Sequence, residues 1–295
     1  MFFTVLERSL ALGQHHVSTL FRTGWAYILL LLAVNFAIGS TLNPSGAFTT
    51  VSYMTEPLDT PDEGGLRFLG ALANIVIGFS IAVAYVRKIL IDAKDFPLQF
   101  GTRNIKVIYL QVLLTLIGFV SLIPLMMAAG LLGLVTGGLG LFLLLLAPFL
   151  ALMVVQRLSI VLPAAAIDDS LSLRESWKTT TGLGTSMAIA GMVTSLLAAA
   201  LIGGWALLLW GLGSLVPADP LWQHMRSTAF PMGTMLVLVW CFASLNATCY
   251  GLVRERYAKQ LGLARDDYEK AEMERDRTRE RANRALGSVR NLGRK

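Results

Sequence analysis

VIYLQVLLTLIGFVSLIPLMMAAGLLGLVTGGLGLFLLLLAPFLALMVV, residues 107–155, runs for 49 residues without one charged side chain. As a single helix it would reach about 73 Å, against a hydrocarbon core of about 30 Å. The chain must therefore turn back inside this stretch. Gly130 permits a reversal, so the spacing predicts a tight hairpin over Ala128–Gly133, one helix ending at Ala129 and the next starting at Leu131.

Runs of the same character recur along the chain. Gly24–Leu42 and Phe68–Val86, the latter closed by Arg87 and Lys88, are each one span long, and Leu183–Trp210 and Pro231–Val253 complete the set. Pro231 is expected in the first helical turn, where its missing N–H costs nothing. The predicted fold class is all-α, a polytopic membrane helix bundle of about six transmembrane helices with interfacial helices. Composition agrees, since 55% of the 295 residues are hydrophobic and 15% are charged, with mean hydropathy +0.61. Soluble domains carry about 25% charged residues. Three regions follow: an N-terminal segment 1–23, a membrane domain 24–253 and a charged tail 254–295. Within the first, Phe3, Leu6, Leu10, Val17 and Leu20 recur at helical spacing, which fits a helix in the headgroup layer or one packed on the bundle. No basic leader with a small-residue cleavage site precedes it, so no cleaved signal peptide is expected.

Orientation follows from Lys and Arg. With the N-terminus inside, 23 of the 25 fall on cytoplasmic segments, and Arg67 and Arg226 alone face outward. That bias predicts a multi-pass protein of a bacterial inner membrane with both termini cytoplasmic. Trp205, Trp210 and Trp222 gather near the opposite face, as in an aromatic belt. The tail holds 13 basic and 8 acidic residues, and i, i+4 pairs such as Asp266–Lys270 suit a solvated helix continuing the last span. Its basic surplus favours anionic headgroups over a nucleic acid, which is not an expected partner.

The spans contain no charge, which argues against a proton-coupled pump. Their polar residues, Asn35, Asn74, Ser80, Gln111, Thr194, Asn246 and Thr248, are read as interhelical hydrogen-bonders. Gly133 and Gly137 match a close-packing pattern, while Pro124 and Pro148 are expected to kink their helices. Cys241 and Cys249 lie eight residues apart, about 12 Å along a helix, too far for a disulfide between them. His15, His16 and His224 have no partners at ligand spacing. No Walker loop, dinucleotide fingerprint or nucleophile elbow occurs, so no catalytic, cofactor or metal residues are assigned.

The connection Gln156–Gly182 is the most informative polar stretch. Ser172 and Glu175 have capping-box spacing, which predicts a short helix carrying Arg174, Trp177 and Lys178 at the headgroup boundary. Asp168, Asp169, Arg174 and Glu175 are expected to pair with one another. The candidate interfacial elbow thus comprises Arg157, Pro163, Asp168, Asp169, Arg174, Trp177 and Lys178.

The string Arg157-Leu-Ser-Ile-Val-Leu-Pro163, followed by Arg174-Glu-Ser-Trp-Lys-Thr-Thr180 and Gly182, resembles the signature loop of a broad group of bacterial integral-membrane proteins. These are similar to the membrane domain attached to some glycerophosphodiester phosphodiesterases. The resemblance implies a six-helix bundle with elbow helices and no catalytic residues, because the phosphodiesterase activity resides in a separate soluble domain. The charged tail departs from that pattern. Function is then expected to be a non-enzymatic scaffold or accessory role in envelope or lipid homeostasis, with membrane lipids and a membrane-protein partner as candidate contacts. The alternative is a transporter or lipid-handling permease, for which an open cavity is required.

Overall fold

In the computed structural model, residues 2–42, 61–93, 98, 100–136, 138–169, 171–215 and 220–260 are described. The chain divides into two units, Met1–Tyr250 and Gly251–Lys295. In chain order the helices are α1 (Phe2–His15), α2 (Val17–Leu42), α3 (Pro61–Ile91), α4 (Thr102–Thr136), α5 (Gly138–Leu158), α6 (Val161–Ala166), α7 (Leu173–Thr179), α8 (Gly184–Leu215) and α9 (Pro220–Gln260). Among the described residues six stretches are long and apolar enough to cross a membrane, and the protein is an all-α helix bundle of the membrane type.

The predicted hairpin at Ala128–Gly133 does not form. α4 continues unbroken to Thr136, and α5 begins at Gly138. Hydrocarbon offers no partner for a freed backbone N–H or C=O, so a glycine there stays helical unless something replaces its hydrogen bonds. Gly137 and the pairing expected of it lie outside the described residues, as does the tail beyond Gln260. Pro231 is likewise displaced from its expected place, since α9 begins eleven residues earlier at Pro220 and carries Pro231 in its interior. The fourth apolar stretch reaches Ala166 rather than ending at Val155, so Arg157 and Pro163 sit in two helices separated by a turn at Ser159 and Ile160.

Burial separates central helices from peripheral ones. Of the apolar windows, Leu146–Ala166 and Thr228–Arg256 are 56% buried, against 11% for Thr102–Leu134 and 17% for Gly184–Gly213. The last two therefore present most of their leucines outward, including Leu134 and Leu207, as a lipid solvent permits. The core is built by α2, α3 and α9, with Tyr27, Leu31, Ile81, Tyr85 and Val239 at its centre and Ala165 and Ala166 of α6 closing one end. Close approach depends on small residues. A Cβ on Gly78 would lie 2.6 Å from the Met235 sulfur, and one on Gly191 would lie 2.7 Å from the Gln156 amide nitrogen. α1 packs on the bundle, with Val5, Ser9 and Gly13 buried and Trp240 Nε1 donating to the Gly13 carbonyl at 2.9 Å.

Of the polar residues expected to bond between helices, Asn35, Asn74, Ser80 and Asn246 do so, whereas the buried Thr248 Oγ1 finds no hydrogen-bond partner among the described residues. Asn35 and Asn74 exchange two hydrogen bonds, at 2.7 and 2.9 Å, between α2 and α3. Asn104 donates to Ser80 at 2.9 Å, Tyr85 and Ser244 hydroxyls meet at 3.2 Å, and Ser159 donates to Asn246 at 3.0 Å. Such pairs are worth about 1 kcal/mol in membrane proteins. Asn35→Leu should therefore destabilise the fold by about that amount, and Asn35→Leu/Asn74→Leu should recover most of the loss, because no amide is then left unpaired. Denaturation in mixed micelles across the double-mutant cycle reads the coupling directly.

Candidate functional site

Pro163 shapes the approach to the site. It lacks the N–H that would reach back to Ser159, whose carbonyl accepts from Leu162 instead at 3.0 Å. α5 thus ends at Leu158 and α6 restarts at Val161, with Pro163 inside the first turn, where an absent donor is tolerated. α6 ends in a Schellman motif. Asp169 N–H bonds the Ala164 carbonyl at 2.8 Å and Asp168 N–H bonds the Ala165 carbonyl at 3.3 Å. The residue in the left-handed conformation is Asp168, with φ 63°, at the position where glycine is usual.

Asp168 spends that conformational cost on a bridge. Its carboxylate accepts from Arg103 Nε of α4 and stands 3.6 Å from Arg87 Nη1 of α3. Arg87 Nη1 also donates to the Ala166 carbonyl at 2.9 Å, capping the end of α6 with a cation. Asp169 turns the other way and accepts from the Tyr250 hydroxyl at 2.8 Å. The expected pairing among Asp168, Asp169, Arg174 and Glu175 is therefore corrected: three find partners elsewhere, and Arg174 is exposed.

Arg157 and Trp177, by contrast, do come together. The Arg157 guanidinium lies 3.6 Å from the Trp177 ring centroid, and its Nη2 donates to the Trp177 carbonyl at 2.6 Å. Its Nε reaches Thr180 Oγ1 at 3.3 Å, and its own carbonyl accepts from the buried Ser176 hydroxyl at 2.7 Å. α7 is in this way fastened to the end of α5. Lys178 and the outer edge of Trp177 remain exposed.

The capping box at the start of α7 forms as its spacing predicts. Ser172 donates to the Glu175 carboxylate from its backbone N–H at 2.8 Å and its hydroxyl at 2.7 Å, and Glu175 N–H returns a bond to Ser172 Oγ at 3.2 Å. These donors, the backbone one first, hold the Glu175 pKa below its ordinary value. A depressed carboxyl pKa stabilises the fold above the ordinary Glu value of about 4.3, and that contribution is lost as pH falls through the lower folded value. Amide exchange across α7, corrected for intrinsic rate, should be unchanged from neutral pH to about 5 and should rise below about 4. Glu175→Gln should remove that acid-dependent change.

Two cavities adjoin the elbow. One, of about 460 Å³, lies among α2, α3, α4 and the end of α6, and its wall includes Thr23, Tyr27, Ser80, Arg87, Arg103, Asn104 and Asp168. The other, of about 350 Å³, lies among α3, α4, α6 and α9 and is lined by apolar side chains from Ile75 to Ala243, with the amides Gln111 and Asn246 as exceptions. Val83 belongs to both walls. Of the elbow residues expected to matter, Asp168 lines the first cavity and Pro163 the second, whereas Arg157, Trp177, Arg174 and Lys178 line neither. Arg87 and Arg103 carry no local motif. Their sequence signal is position, each a cation at the edge of an apolar run, and it reads equally as topology.

Among the described residues, no three His, Cys, Asp or Glu side chains assemble at metal-binding distance. Cys241 and Cys249 are both free and buried. No family model, curated protein or solved structure matches the chain.

Proposed function

We propose that this protein is a lipid-handling integral membrane protein that receives an acyl chain in its apolar cavity. The observation that carries this reading is the juxtaposition of a 350 Å³ apolar cavity and a 460 Å³ polar one across Val83. The apolar space is more than twice the roughly 150 Å³ engineered cavity that binds benzene. It lies at the level of the spans, beside a polar chamber at the helix ends. That is the shape of an amphiphile, with tail and head in adjoining compartments.

An accessory role has the greater weight from sequence alone, because it requires nothing beyond a packed bundle. An open cavity pair is what lipid handling additionally needs. The charge bias of 23 inward to 2 outward cations supports placing the polar chamber at the cytoplasmic leaflet of a bacterial inner membrane. The likeness of the elbow string to membrane domains that accompany glycerophosphodiester phosphodiesterases is consistent with glycerolipid chemistry.

Extraction into polymer-bounded native discs, followed by mass spectrometry against a control bundle of similar size, tests the reading. A lipid retained in stoichiometric amount is the expected result. A stoichiometric protein partner with no retained lipid would return the weight to the accessory role.

A further inference from the structure

The apolar cavity can fix a tail but cannot choose a lipid. A bilayer is as apolar as the cavity wall, so moving an acyl chain from one to the other gains little beyond packing. Selection must come from the polar chamber. Resting on the lipid-handling reading, we infer that Arg87 and Arg103 form the seat of an anionic glycerophospholipid headgroup and that Asp168 is the internal carboxylate with which that headgroup competes.

Three independent features converge here. The first is charge. Two guanidinium groups face one carboxylate, leaving a surplus of one positive charge at the chamber wall, and no other charged side chain among the described residues lines it. A guanidinium pair suits a phosphate, which accepts bidentate, charge-assisted hydrogen bonds. The second is conformation. Asp168 occupies a left-handed Schellman position that glycine would fill with less strain, and its side chain reaches both arginines. Asp tolerates this conformation better than most side chains, and here it carries a carboxylate to two cations. The third is accessibility. Arg87 is fixed, with a side chain only 16% exposed and bonded to the α6 carboxyl end, whereas Arg103 and Asp168 are 41% and 51% exposed and can exchange partners.

Chamber and tail cavity share Val83 as a wall residue, and the proposed lipid straddles that wall with its head beside the arginines. Thr23, Ser80 and Asn104 supply neutral polar wall beside the arginines, which suits glycerol and ester oxygens. The ammonium of a zwitterionic headgroup would add a third positive charge beside the two guanidinium groups. The seat therefore discriminates against zwitterionic headgroups and favours those with one net negative charge.

Native mass spectrometry of the full chain, reconstituted in vesicles of equal phosphatidylglycerol and phosphatidylethanolamine, tests the assignment. Wild type should retain phosphatidylglycerol over phosphatidylethanolamine by about tenfold, the worth of one charge-assisted hydrogen bond. Arg103→Gln, at a half-exposed position, should abolish the preference. Asp168→Asn, which also tolerates the left-handed backbone, should strengthen it by removing the competitor. Lipid retained without headgroup preference, or a preference unmoved by both substitutions, would overturn the seat and leave the lipid-handling reading standing. If no lipid is retained from any mixture, both fall together. Phenylglyoxal modification distinguishes a free-anion site: micellar phosphatidylglycerol should protect Arg103 in wild type far better than in Ala82→Phe protein and far better than inorganic phosphate does, and equal protection by the lipid and by phosphate at the same concentration overturns the lipid assignment.

Discussion

Arg157→Ala is expected to release α7 from the bundle at a cost of about 2–4 kcal/mol, the largest stability loss we anticipate from a single partly exposed side chain. The figure combines a charge-assisted bond to the Trp177 carbonyl, worth about 1.5–3 kcal/mol, with a stacking contact worth about 0.5–1 kcal/mol. The aliphatic stem adds packing, since a Cβ on Gly184 would stand 2.7 Å from Arg157 Cδ. Amide protection over Leu173–Thr179 should then drop by roughly 30-fold for each 2 kcal/mol lost, while α2 and α3 stay protected. Arg157→Lys should recover less than half, because an ammonium neither stacks as a plane nor reaches carbonyl and hydroxyl together. Unchanged protection in Arg157→Ala would mean that the buried Ser176 and Thr180 hold α7 unaided.

Ala82→Phe should empty the apolar cavity of lipid while leaving the bundle folded. Ala82 lines that cavity on α3, so a phenyl ring at this position is expected to take up part of its roughly 350 Å³. Cavity-filling substitutions commonly add about 0.5–2 kcal/mol of stability, so the expected signature is opposite in its two readouts. Retained lipid should decrease by about tenfold, a loss of about 1.4 kcal/mol of binding, and resistance to denaturation should hold or rise. Smaller occupants should suffer less, and Ala82→Val should fall between. A Phe variant that retains lipid as wild type does would place the acyl chain elsewhere on the bundle and remove the main support for lipid handling.

The elbow is only partly legible in the sequence. The Ser172–Glu175 box, the short helix behind it and the presence of Trp177 beside cations are readable because capping is local: both partners lie within one turn of each other. Asp168 stands out in the sequence for its carboxylate, yet the sequence offers only its neighbours as partners. Its actual partners, Arg87 and Arg103, lie 81 and 65 residues earlier, and nothing near Asp168 announces them. The bond that Arg87 gives to the Ala166 carbonyl at the end of α6 is equally long-range. Asn35 and Asn74 lie at matching depth in the predicted spans, whereas Asn246 pairs with Ser159, a residue outside them.

The absent hairpin at Ala128–Gly133 has the same root. In water a glycine among leucines invites a turn, because solvent satisfies the opened backbone. In hydrocarbon it does not, and Gly130 remains helical although a Cβ placed on it would meet no heavy atom within 4 Å. Pro231 sits inside α9 for a related reason, as transmembrane helices absorb a proline that a soluble helix would refuse. The solvent and the number of crossings are written in the chain alone: apolar runs of span length, segregated cations and an even count all follow from the cost of burying charge in a bilayer. Which faces meet emerges only on folding, and with it two cavities that share Val83 as a wall residue, one of them lined by Arg87, Arg103 and Asp168. Hydrocarbon rewards every outward apolar face alike, so periodicity loses its power to tell inside from outside, and contact specificity passes to small residues and a few polar pairs whose partners are distant in the chain.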